Sequence, residues 1–235
     1  MPAGAIISGL REGHRVRMAS RIFKADLARA AQVFSCCRDI VTSGGVIAYP
    51  TDTFYGLGVD PVNRAAVTKL FVIKGRHARQ PILLLIPDVS SVKDWVAEVT
   101  PQAEALMKRF WPGPLTLVFK AKEGIVPEIT AGTGTIGLRI PGNPLTLRLL
   151  TYLGTALTGT SANISGERSL ETAEEAAAAV GGSVDLILDG GRTAGGKPST
   201  VVDVTSDRLK MIREGAIPFA ALQEQIIHLI VRDTA

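Results

Sequence analysis

Helical and strand-like segments alternate along this chain from residue 24 to residue 231, and this order limits the fold more than any other feature. In residues 24–42, for example, Ala30, Phe34, Cys37 and Val41 recur at intervals of three and four, which is typical of an amphipathic helix. Further helices are predicted at 63–75, 101–110, 143–153, 171–180 and 219–231, and strands at 46–49, 82–86, 115–119, 136–140, 155–158, 184–188, 200–204 and 209–213. The alternation predicts one α/β domain with a mixed sheet, because a short turn at residues 206–207 joins the last two strands.

Composition narrows the class of protein. The 235 residues, 46% of them hydrophobic and 20% charged, suit one domain with a sizeable buried core. The longest uninterrupted aliphatic run, residues 82–86, is far shorter than the roughly 20 residues that span a bilayer, which excludes a membrane span. Cys36 and Cys37 are adjacent, which suits neither a disulfide nor a metal site and predicts reduced thiols in a cytoplasmic protein.

The chain is basic, with a net charge of +4 and a pI near 9.2, which favours anionic ligands such as nucleotides or RNA. Part of this charge is local, because five basic residues lie in the first 24 positions with only Glu12 against them. We therefore predict a basic, loosely ordered extension over residues 1–20, with a targeting signal as the alternative, and a domain over residues 21–235.

A polar loop follows the strand predicted at 46–49. The chain breaks at Pro50 and then brings three hydroxyl groups and one carboxylate into five positions, with two glycines beside them: Thr51, Asp52, Thr53, Tyr55, Gly56 and Gly58. Strands commonly deliver polar groups to ligands in this way, and glycine leaves room for a ligand near the backbone. An ordinary polar turn is the alternative interpretation of this segment alone.

Two nucleotide-binding signatures occur in part, and both lack the required context. Residues 132–137 match G-x-G-x-x-G but lead into a predicted strand, whereas the dinucleotide fingerprint opens a helix. Residues 191–197 match the start of a P-loop, yet Pro198 stands where Ser or Thr should hold magnesium. Neither a Rossmann protein nor a Walker ATPase is predicted, although Lys197, Ser199 and Thr200 remain candidate phosphate ligands. The three histidines are too scattered in the sequence to predict a metal cluster.

Polar residues also follow several other predicted strands and helices. Four cations are among them: Lys74, Arg76, Arg139 and Arg213. Loops at strand ends form the ligand sites of open α/β sheets, and cations beside hydroxyls suit a triphosphate and a carboxylate. Any one arginine, taken singly, is better explained by a surface ion pair, but together they favour a site.

Seven motifs, taken together, resemble the YrdC/Sua5 family of threonylcarbamoyl-AMP synthases, in its short single-domain form. They occur in family order: PTDTFYGLG at 50–58, KGR with a later proline at 74–81, FWPGPLT at 110–116, GLRIP at 137–141, TSANISG at 160–166, STVVDV at 199–204 and IREGAI at 212–217. The resemblance implies a twisted mixed sheet with flanking helices and an open concave site. It also implies synthesis of threonylcarbamoyl-AMP and pyrophosphate from L-threonine, bicarbonate or CO2, and ATP, for N6-threonylcarbamoyladenosine (t6A) modification of tRNA.

The resemblance further implies roles for individual residues. Thr53 and Arg139 are expected to bind threonine, and Lys74 and Arg76 are the expected catalytic cations that neutralise departing pyrophosphate. The expected nucleotide-binding residues are Arg76, Thr135, Ser161, Asn163, Ser169, Ser199 and Arg213. Magnesium is expected to arrive on ATP without dedicated protein ligands, and Asp52 is expected to have a structural role in its turn. The expected partners are the proteins that receive the threonylcarbamoyl group, with weak tRNA binding as a further possibility and no membrane.

Some positions depart from the family pattern. Longer members often have Asn before the proline that follows KxR and a His a few residues later, where this chain has Gln80 and the run Leu83–Leu84–Leu85. Gly159 stands two residues before Ser161, where a hydroxyl is expected, and Thr158 or Thr160 is its candidate replacement. Three alternative functions have the same fold or charge: a YciO-type paralogue, a non-enzymatic RNA-binding module, and a carbamoyl-transfer domain of hydrogenase maturation. The last lacks its accompanying CxxC pairs.

Overall fold

Two mixed sheets organise the residues that the computed structural model describes, which are 21–24, 30–75, 80–206 and 208–233. The α/β class is as predicted, but the expected single sheet is two. The five-stranded sheet has the order β1 (Arg21–Lys24), β9 (Leu186–Asp189), β2 (Ile47–Tyr49), β3 (Gly56–Gly58) and β8 (Thr160–Ser161). The six-stranded sheet has the order β11 (Lys210–Arg213), β10 (Thr200–Asp203), β5 (Leu115–Lys120), β6 (Thr135–Arg139), β4 (Leu84–Leu85) and β7 (Leu157–Thr158).

The chain passes from one sheet to the other at Gly159. Residues 157–158 pair with β4 in the six-stranded sheet, and residues 160–161 pair with β3 in the five-stranded sheet. The backbone N–H of Gly159 donates to the carbonyl of Leu83 at 2.8 Å, and that of Thr158 donates to the carbonyl of Val59 at 3.2 Å. A single strand was predicted only at 155–158, because strands of two residues are too short to show a hydrophobic period.

Seven helices flank these sheets within the described residues: α1 (Ala30–Thr42), α2 (Arg64–Lys74), α3 (Pro101–Phe110), α4 (Pro127–Thr130), α5 (Pro144–Leu153), α6 (Ala173–Val180) and α7 (Phe219–Asp233). The predicted caps of α2 are confirmed. The Asn63 side chain accepts a hydrogen bond from the Ala66 N–H at 3.1 Å, and Gly75 ends the helix in the left-handed conformation with φ 57°. None of the helices in the described segments is long and apolar enough to cross a membrane.

The first helix begins later than predicted. Residues 21–24 form β1, which pairs in parallel with β9, so the prediction that helix begins at Lys24 is wrong at that end. Pairing with a strand more than 150 residues away in sequence is invisible to local periodicity and overrides helix propensity here. The predicted extension at 1–20 lies outside the described residues.

The glycines after Pro50 also differ from expectation. Residues 56–58 form β3, antiparallel to β2, instead of continuing the loop. A Cβ atom at Gly58 would lie 2.6 Å from Cε1 of Tyr49, so this glycine makes room for a buried aromatic ring of the neighbouring strand. The Tyr49 hydroxyl, in turn, donates to the Thr158 carbonyl at 2.6 Å and fastens β2 to the chain crossing between the sheets.

Two apolar clusters fill the interior on opposite faces of β2. Ile47 and Tyr49 pack in one cluster with α1 and α5, whereas Val46 and Ala48 pack in the larger cluster with α2, α3 and α6. Alternate residues of a strand point to opposite faces, so a strand covered on both sides is apolar throughout. The same alternation produces the candidate site on the six-stranded sheet.

Candidate functional site

A cavity of about 470 Å³ opens on one face of the six-stranded sheet. Residues of β4, β5, β6, β10 and β11 line it on one side, and residues 51, 53–56 and 160–161 line it on the other. Ten lining residues carry hydroxyl groups: Thr51, Thr53, Tyr55, Thr116, Thr133, Thr135, Thr160, Ser161, Ser169 and Ser199. Residues of both sheets therefore line the cavity, and many of them carry hydroxyl groups.

The alternation of the strands explains which residues reach this cavity. Along β6, Thr135, Gly137 and Arg139 line the cavity, whereas Ile136 and Leu138 belong to the apolar core. Along β5, Thr116 and Val118 line it, and the apolar residues on either side of them point to the core. The motifs GLR and PLT thus place a polar residue on the cavity side without breaking the core face.

The loop after β2 is fixed by the hydroxyl of Thr51. This hydroxyl donates to the Phe54 carbonyl at 2.7 Å and accepts the backbone N–H groups of Thr53 and Phe54 at 3.1 and 3.2 Å. Its oxygen also lies 3.0 Å from the hydroxyl oxygen of Thr53. These contacts hold Thr53 in place beside the cavity that it lines.

Arg139 is buried, with 3% of its surface exposed, and its guanidinium is fixed by two groups. Its Nε donates to the carbonyl of Gly113 at 3.0 Å, and its Nη2 forms a short ion pair with Oδ1 of Asp52. Burial lowers the pKa of Arg139, and the negative charge of Asp52 opposes this effect. An arginine remains charged at neutral pH, so Arg139 brings a positive charge to the cavity that it lines.

Arg213 supplies the second charge of the lining. Its Nη2 donates to the Ser199 carbonyl at 2.9 Å, and the same nitrogen lies 3.3 Å from the Ser199 hydroxyl. That hydroxyl also contacts the hydroxyl of Thr116 at 3.0 Å. The pKa of Arg213 is lowered by partial burial and then by the positive charge of Arg139. A bound anion between the two arginines would relieve this repulsion.

Ser161 and Asn163 belong to a hydrogen-bonded unit that Lys74 holds together. The ammonium of Lys74 donates to the carbonyls of Ser161 and Asn163 at 2.5 and 2.8 Å. The Ser161 hydroxyl donates to Oδ1 of Asn163 at 2.5 Å, and Nδ2 of Asn163 donates to the Glu167 carbonyl at 2.5 Å. Lys74 is 3% exposed and lies behind the cavity wall rather than in it.

The structure brings together seven of the ten predicted site residues around the cavity: Thr53, Thr135, Arg139, Ser161, Ser169, Ser199 and Arg213. Lys74 and Asn163 support this wall from behind, and Arg76 lies outside the described residues. Of the candidate phosphate ligands, Lys197 is exposed away from the lining, and the Thr200 hydroxyl donates to the Ile217 carbonyl at 2.6 Å.

Sequence reasoning missed several lining residues. Thr116 and Thr133 also line the cavity, and Leu83 and Leu85 add an apolar side. The alternation of β5 could have indicated Thr116, since it lies between two apolar core positions. Of the two candidate replacements near Gly159, Thr160 lines the cavity, whereas the Thr158 hydroxyl accepts the Val59 N–H at 3.0 Å and donates to the Leu57 carbonyl at 3.2 Å.

The charge of the lining determines which ligands suit it. Its charged residues are Arg139 and Arg213, and no Asp or Glu lines it within the part of the chain that the structure describes. The same described segments hold no group of three or more His, Cys, Asp or Glu side chains placed to share a metal ion. Magnesium prefers carboxylate oxygens, so this lining does not fit a protein-held magnesium ion, whereas two arginines among hydroxyls fit phosphate and carboxylate groups.

Comparisons with known proteins identify the family of this chain. A family model for Sua5, YciO and YrdC proteins, described as "Telomere recombination", matches residues 39–215. The threonylcarbamoyl-AMP synthase of Bacillus subtilis is 40% identical over 173 residues, which are 73% of this chain and 50% of that protein. The chain thus spans about half the length of this curated relative.

Solved structures share the fold. P. abyssi Sua5 complexed with L-threonine has a TM-score of 0.84 and 32% identity, covering 89% of this chain and 61% of that one. E. coli YciO has a TM-score of 0.77 and 32% identity, covering 85% of this chain and 97% of that one. The resemblance seen in the seven motifs is confirmed by these matches, and the chain belongs to the Sua5/YciO/YrdC family.

Proposed function

We propose that this protein is an L-threonylcarbamoyladenylate synthase, a nucleotidyltransferase that forms threonylcarbamoyl-AMP and pyrophosphate from L-threonine, bicarbonate or CO2, and ATP. The observation that carries the proposal is one cavity lined by two arginines, ten hydroxyl residues and, within the described residues, no carboxylate. A reaction that aligns an amino-acid carboxylate with a nucleotide triphosphate needs such a site, because both substrates are anions. The B. subtilis relative is named for this activity, and P. abyssi Sua5 binds L-threonine.

Threonine is proposed to bind at Arg139 and Thr53. The Nη1 group of Arg139 would meet the threonine carboxylate, and Thr53 would accept a hydrogen from the amino or hydroxyl group of threonine. Asp52 pairs with Arg139 and is absent from the lining, which supports the proposal that its role is structural.

ATP is proposed to bind along the hydroxyl-rich remainder of the cavity. Thr135, Ser161, Ser169, Ser199 and Arg213 line this part, and Asn163 fixes Ser161. Arg76 is proposed to join them at the phosphates, since it follows Gly75 at the end of α2. Magnesium is proposed to arrive on ATP, and no step below depends on it.

The chemistry consists of two bond-forming steps. The neutral amine of threonine attacks the carbon of CO2 and releases one proton to solvent, which gives a carbamate. A carbamate oxygen then attacks the α-phosphorus of ATP, the bond from that phosphorus to the bridging oxygen breaks, and pyrophosphate leaves with the electron pair. The protein contributes alignment of two anions and positive charge beside the leaving group, for which Lys74 and Arg76 are the proposed catalytic cations.

The position of Lys74 refines its proposed contribution. Its ammonium donates to two carbonyl groups of the segment that carries Ser161, and Lys74 itself is absent from the cavity lining. We propose that positioning of residues 161–163 is its main effect on turnover.

The product is a reactive mixed anhydride, so a further protein is proposed to take the threonylcarbamoyl group and transfer it to tRNA, giving t6A. Since ATP, threonine and tRNA meet in the cytoplasm, this is the proposed location. Weak direct binding of tRNA is also proposed, on the basis of the pI near 9.2.

A single assay tests the proposal. The purified protein is incubated with ATP, threonine and bicarbonate, and pyrophosphate release and the labile adenylate are measured with and without threonine. Threonine-dependent release of both products is expected. A protein that binds RNA but releases no pyrophosphate, under conditions in which the B. subtilis synthase is active, would contradict the enzyme proposal and favour the RNA-binding alternative. A protein that does neither would favour a YciO-type paralogue.

A further inference from the structure

Leu83 and Leu85 form an apolar corner beside Arg139. Leu85 is the cross-strand partner of Arg139 in the parallel pair of β4 and β6, so their side chains lie next to each other on the cavity face. Leu83 precedes Leu85 by two residues and also lines the cavity. An amino acid whose carboxylate meets Arg139 therefore has aliphatic side chains on one side and the hydroxyl of Thr53 within the same cavity.

Leu83 occupies space that is open because two neighbouring residues, Gly159 and Gly137, have no side chain. A Cβ atom at Gly159 would lie 2.4 Å from Cδ1 of Leu83 and 2.9 Å from Cγ of Leu85, which is closer than real Cβ contacts allow. A Cβ atom at Gly137 would lie 3.3 Å from Cβ of Leu83. Neither glycine has a positive φ, so space and not backbone conformation accounts for their presence.

The two departures from the family pattern are thus in contact with each other. The absence of a side chain at position 159 is the condition for the leucine side chains at positions 83 and 85 to fill this corner. The backbone joins them as well, because the Gly159 N–H donates to the Leu83 carbonyl at 2.8 Å. The three residues form one unit, the leucine corner, in which a change at one position alters the space at the others.

Resting on the proposed function, we propose that the leucine corner (Leu83, Leu85 and Gly159) determines which amino acid the enzyme uses, by contacting the methyl group of threonine and limiting its length. Threonine carries a methyl and a hydroxyl on the same carbon, and this end of the cavity offers an aliphatic side and hydroxyl groups. Serine lacks the methyl group and loses the aliphatic contact. An amino acid with one more methylene meets the side chain of Leu83.

The first test is the substitution Leu83→Ala, with pyrophosphate release measured for threonine, serine and 2-amino-3-hydroxypentanoate, which is threonine extended by one methylene. The preference for threonine over serine in kcat/KM is expected to fall about 10-fold, since one methyl contact in an apolar pocket is typically worth about that factor or more. Turnover of the extended amino acid is expected to rise. The matched control is Leu153→Ala, because Leu153 is also a partly buried leucine at the same apolar cluster but lies outside the cavity lining.

The second test uses position 159 and does not depend on Leu83→Ala being stable alone. Gly159→Ala is expected to lower kcat/KM for threonine at least about 10-fold, because its methyl group displaces Leu83 into the substrate space. The double variant Gly159→Ala/Leu83→Ala is expected to recover most of this loss, since the added methyl then fills space that Leu83 has left. Circular dichroism of each variant verifies that it is folded.

The outcomes separate this inference from the proposed function. If the wild type turns over threonine normally, two results would overturn only the proposed role of the leucine corner. One is that Leu83→Ala leaves the preference among the three amino acids unchanged, and the other is that a folded double variant shows no recovery. Absence of threonine-dependent pyrophosphate from the wild type would overturn the proposed function.

Discussion

At the scale of single residues, the pairing of Arg139 with Asp52 connects stability with ligand binding. The side chain of Arg139 is 4% exposed and that of Asp52 16%, whereas the surface pair Lys120–Glu98 is exposed by 57% and 64%. A buried ion whose partner is removed loses its compensation, whereas a surface pair contributes little because water solvates both charges. The buried pair should therefore dominate the ionic contribution to stability at this end of the cavity.

Replacement of Asp52 by Asn tests this contrast. We expect Asp52→Asn to lower the free energy of unfolding by roughly 1 to 3 kcal/mol, because Arg139 stays buried with a neutral partner. The matched control Glu98→Gln removes one charge from the exposed pair and should change stability by less than about 1 kcal/mol. Urea denaturation of the three proteins measures these differences, and equal losses in the two variants would contradict the interpretation.

Replacement of Arg139 by Lys tests its proposed role as a carboxylate ligand. Lysine retains the charge but cannot donate to Gly113, to Asp52 and to a ligand in the planar geometry of a guanidinium. We expect Arg139→Lys to weaken threonine binding at least about 10-fold, since a hydrogen bond to a charged group contributes about 1.5 kcal/mol or more. Calorimetric titration with threonine and, separately, with ATP is the measurement. If only ATP binding were weakened, Arg139 would be a ligand of the nucleotide instead of threonine.

At the scale of structural elements, the end of α2 supports the segment that carries Ser161. The Lys74 ammonium bonds the carbonyls of residues 161 and 163, and the Lys74 carbonyl accepts the N–H of Ser165 at 3.0 Å. Gly75 ends the helix in a left-handed conformation that residues other than glycine rarely adopt. One helix end thus fixes residues 161–165 from two sides.

Replacement of Lys74 by Met should loosen this segment. We expect amide hydrogen exchange over residues 160–165 to become faster and the free energy of unfolding to fall by roughly 1 to 3 kcal/mol, because buried carbonyl groups lose their donor. Lys69→Met is the control, since Lys69 is an exposed residue of the same helix whose ammonium donates to the Gly44 carbonyl at 2.7 Å. Lost turnover with unchanged exchange would instead favour direct contact of Lys74 with phosphate.

Elements with local signals were predictable, and those that depend on distant pairing were not. The side chain of Asn63 caps the start of α2, and the backbone conformation of Gly75 ends this helix, so both ends could be predicted from the sequence. By contrast, β1, β3 and β8 form because other strands pair with them. The sequence pattern of residues 56–58, which form β3, indicated a loop. The contact between Asp52 and Arg139 joins residues 87 positions apart, so no sequence pattern reveals it. The family resemblance of the seven motifs pointed to most of the predicted site residues at the cavity. Thr116 could be predicted only by knowing which residues of its strand face the cavity.

At the scale of the whole molecule, three buried weak acids, Cys37, Tyr49 and Tyr55, make the stability of the fold decrease at alkaline pH. Burial, and then the neighbouring Cys36, raises the pKa of Cys37 from 9.0 to about 12. Burial also raises the pKa of Tyr49 and of Tyr55 above 10.0. The unfolded chain releases these protons at lower pH than the folded protein does, so alkaline conditions favour unfolding.

We therefore expect the free energy of unfolding to fall as the pH rises from 9 towards 12, with Cys37 contributing at most about 1.4 kcal/mol per pH unit. Cys37→Ala should flatten this dependence, because it removes the buried thiol. Chemical denaturation at several pH values between 8 and 10.5 measures the slope. Identical slopes in wild type and Cys37→Ala would refute the role of the thiol.

The dispersed origin of the cavity has a consequence for how the protein folds in the presence of its ligands. The two arginines are surrounded by parts of the chain that are distant in sequence: the loop after β2, the turn before β5, and the strands β6, β10 and β11. Contacts between residues distant in sequence form late and slowly, so a partly folded chain has no complete site. Ligand occupancy therefore reports the native population of the entire domain, and saturating ligand at about 100 times its dissociation constant would protect all of it by about 2.7 kcal/mol at once.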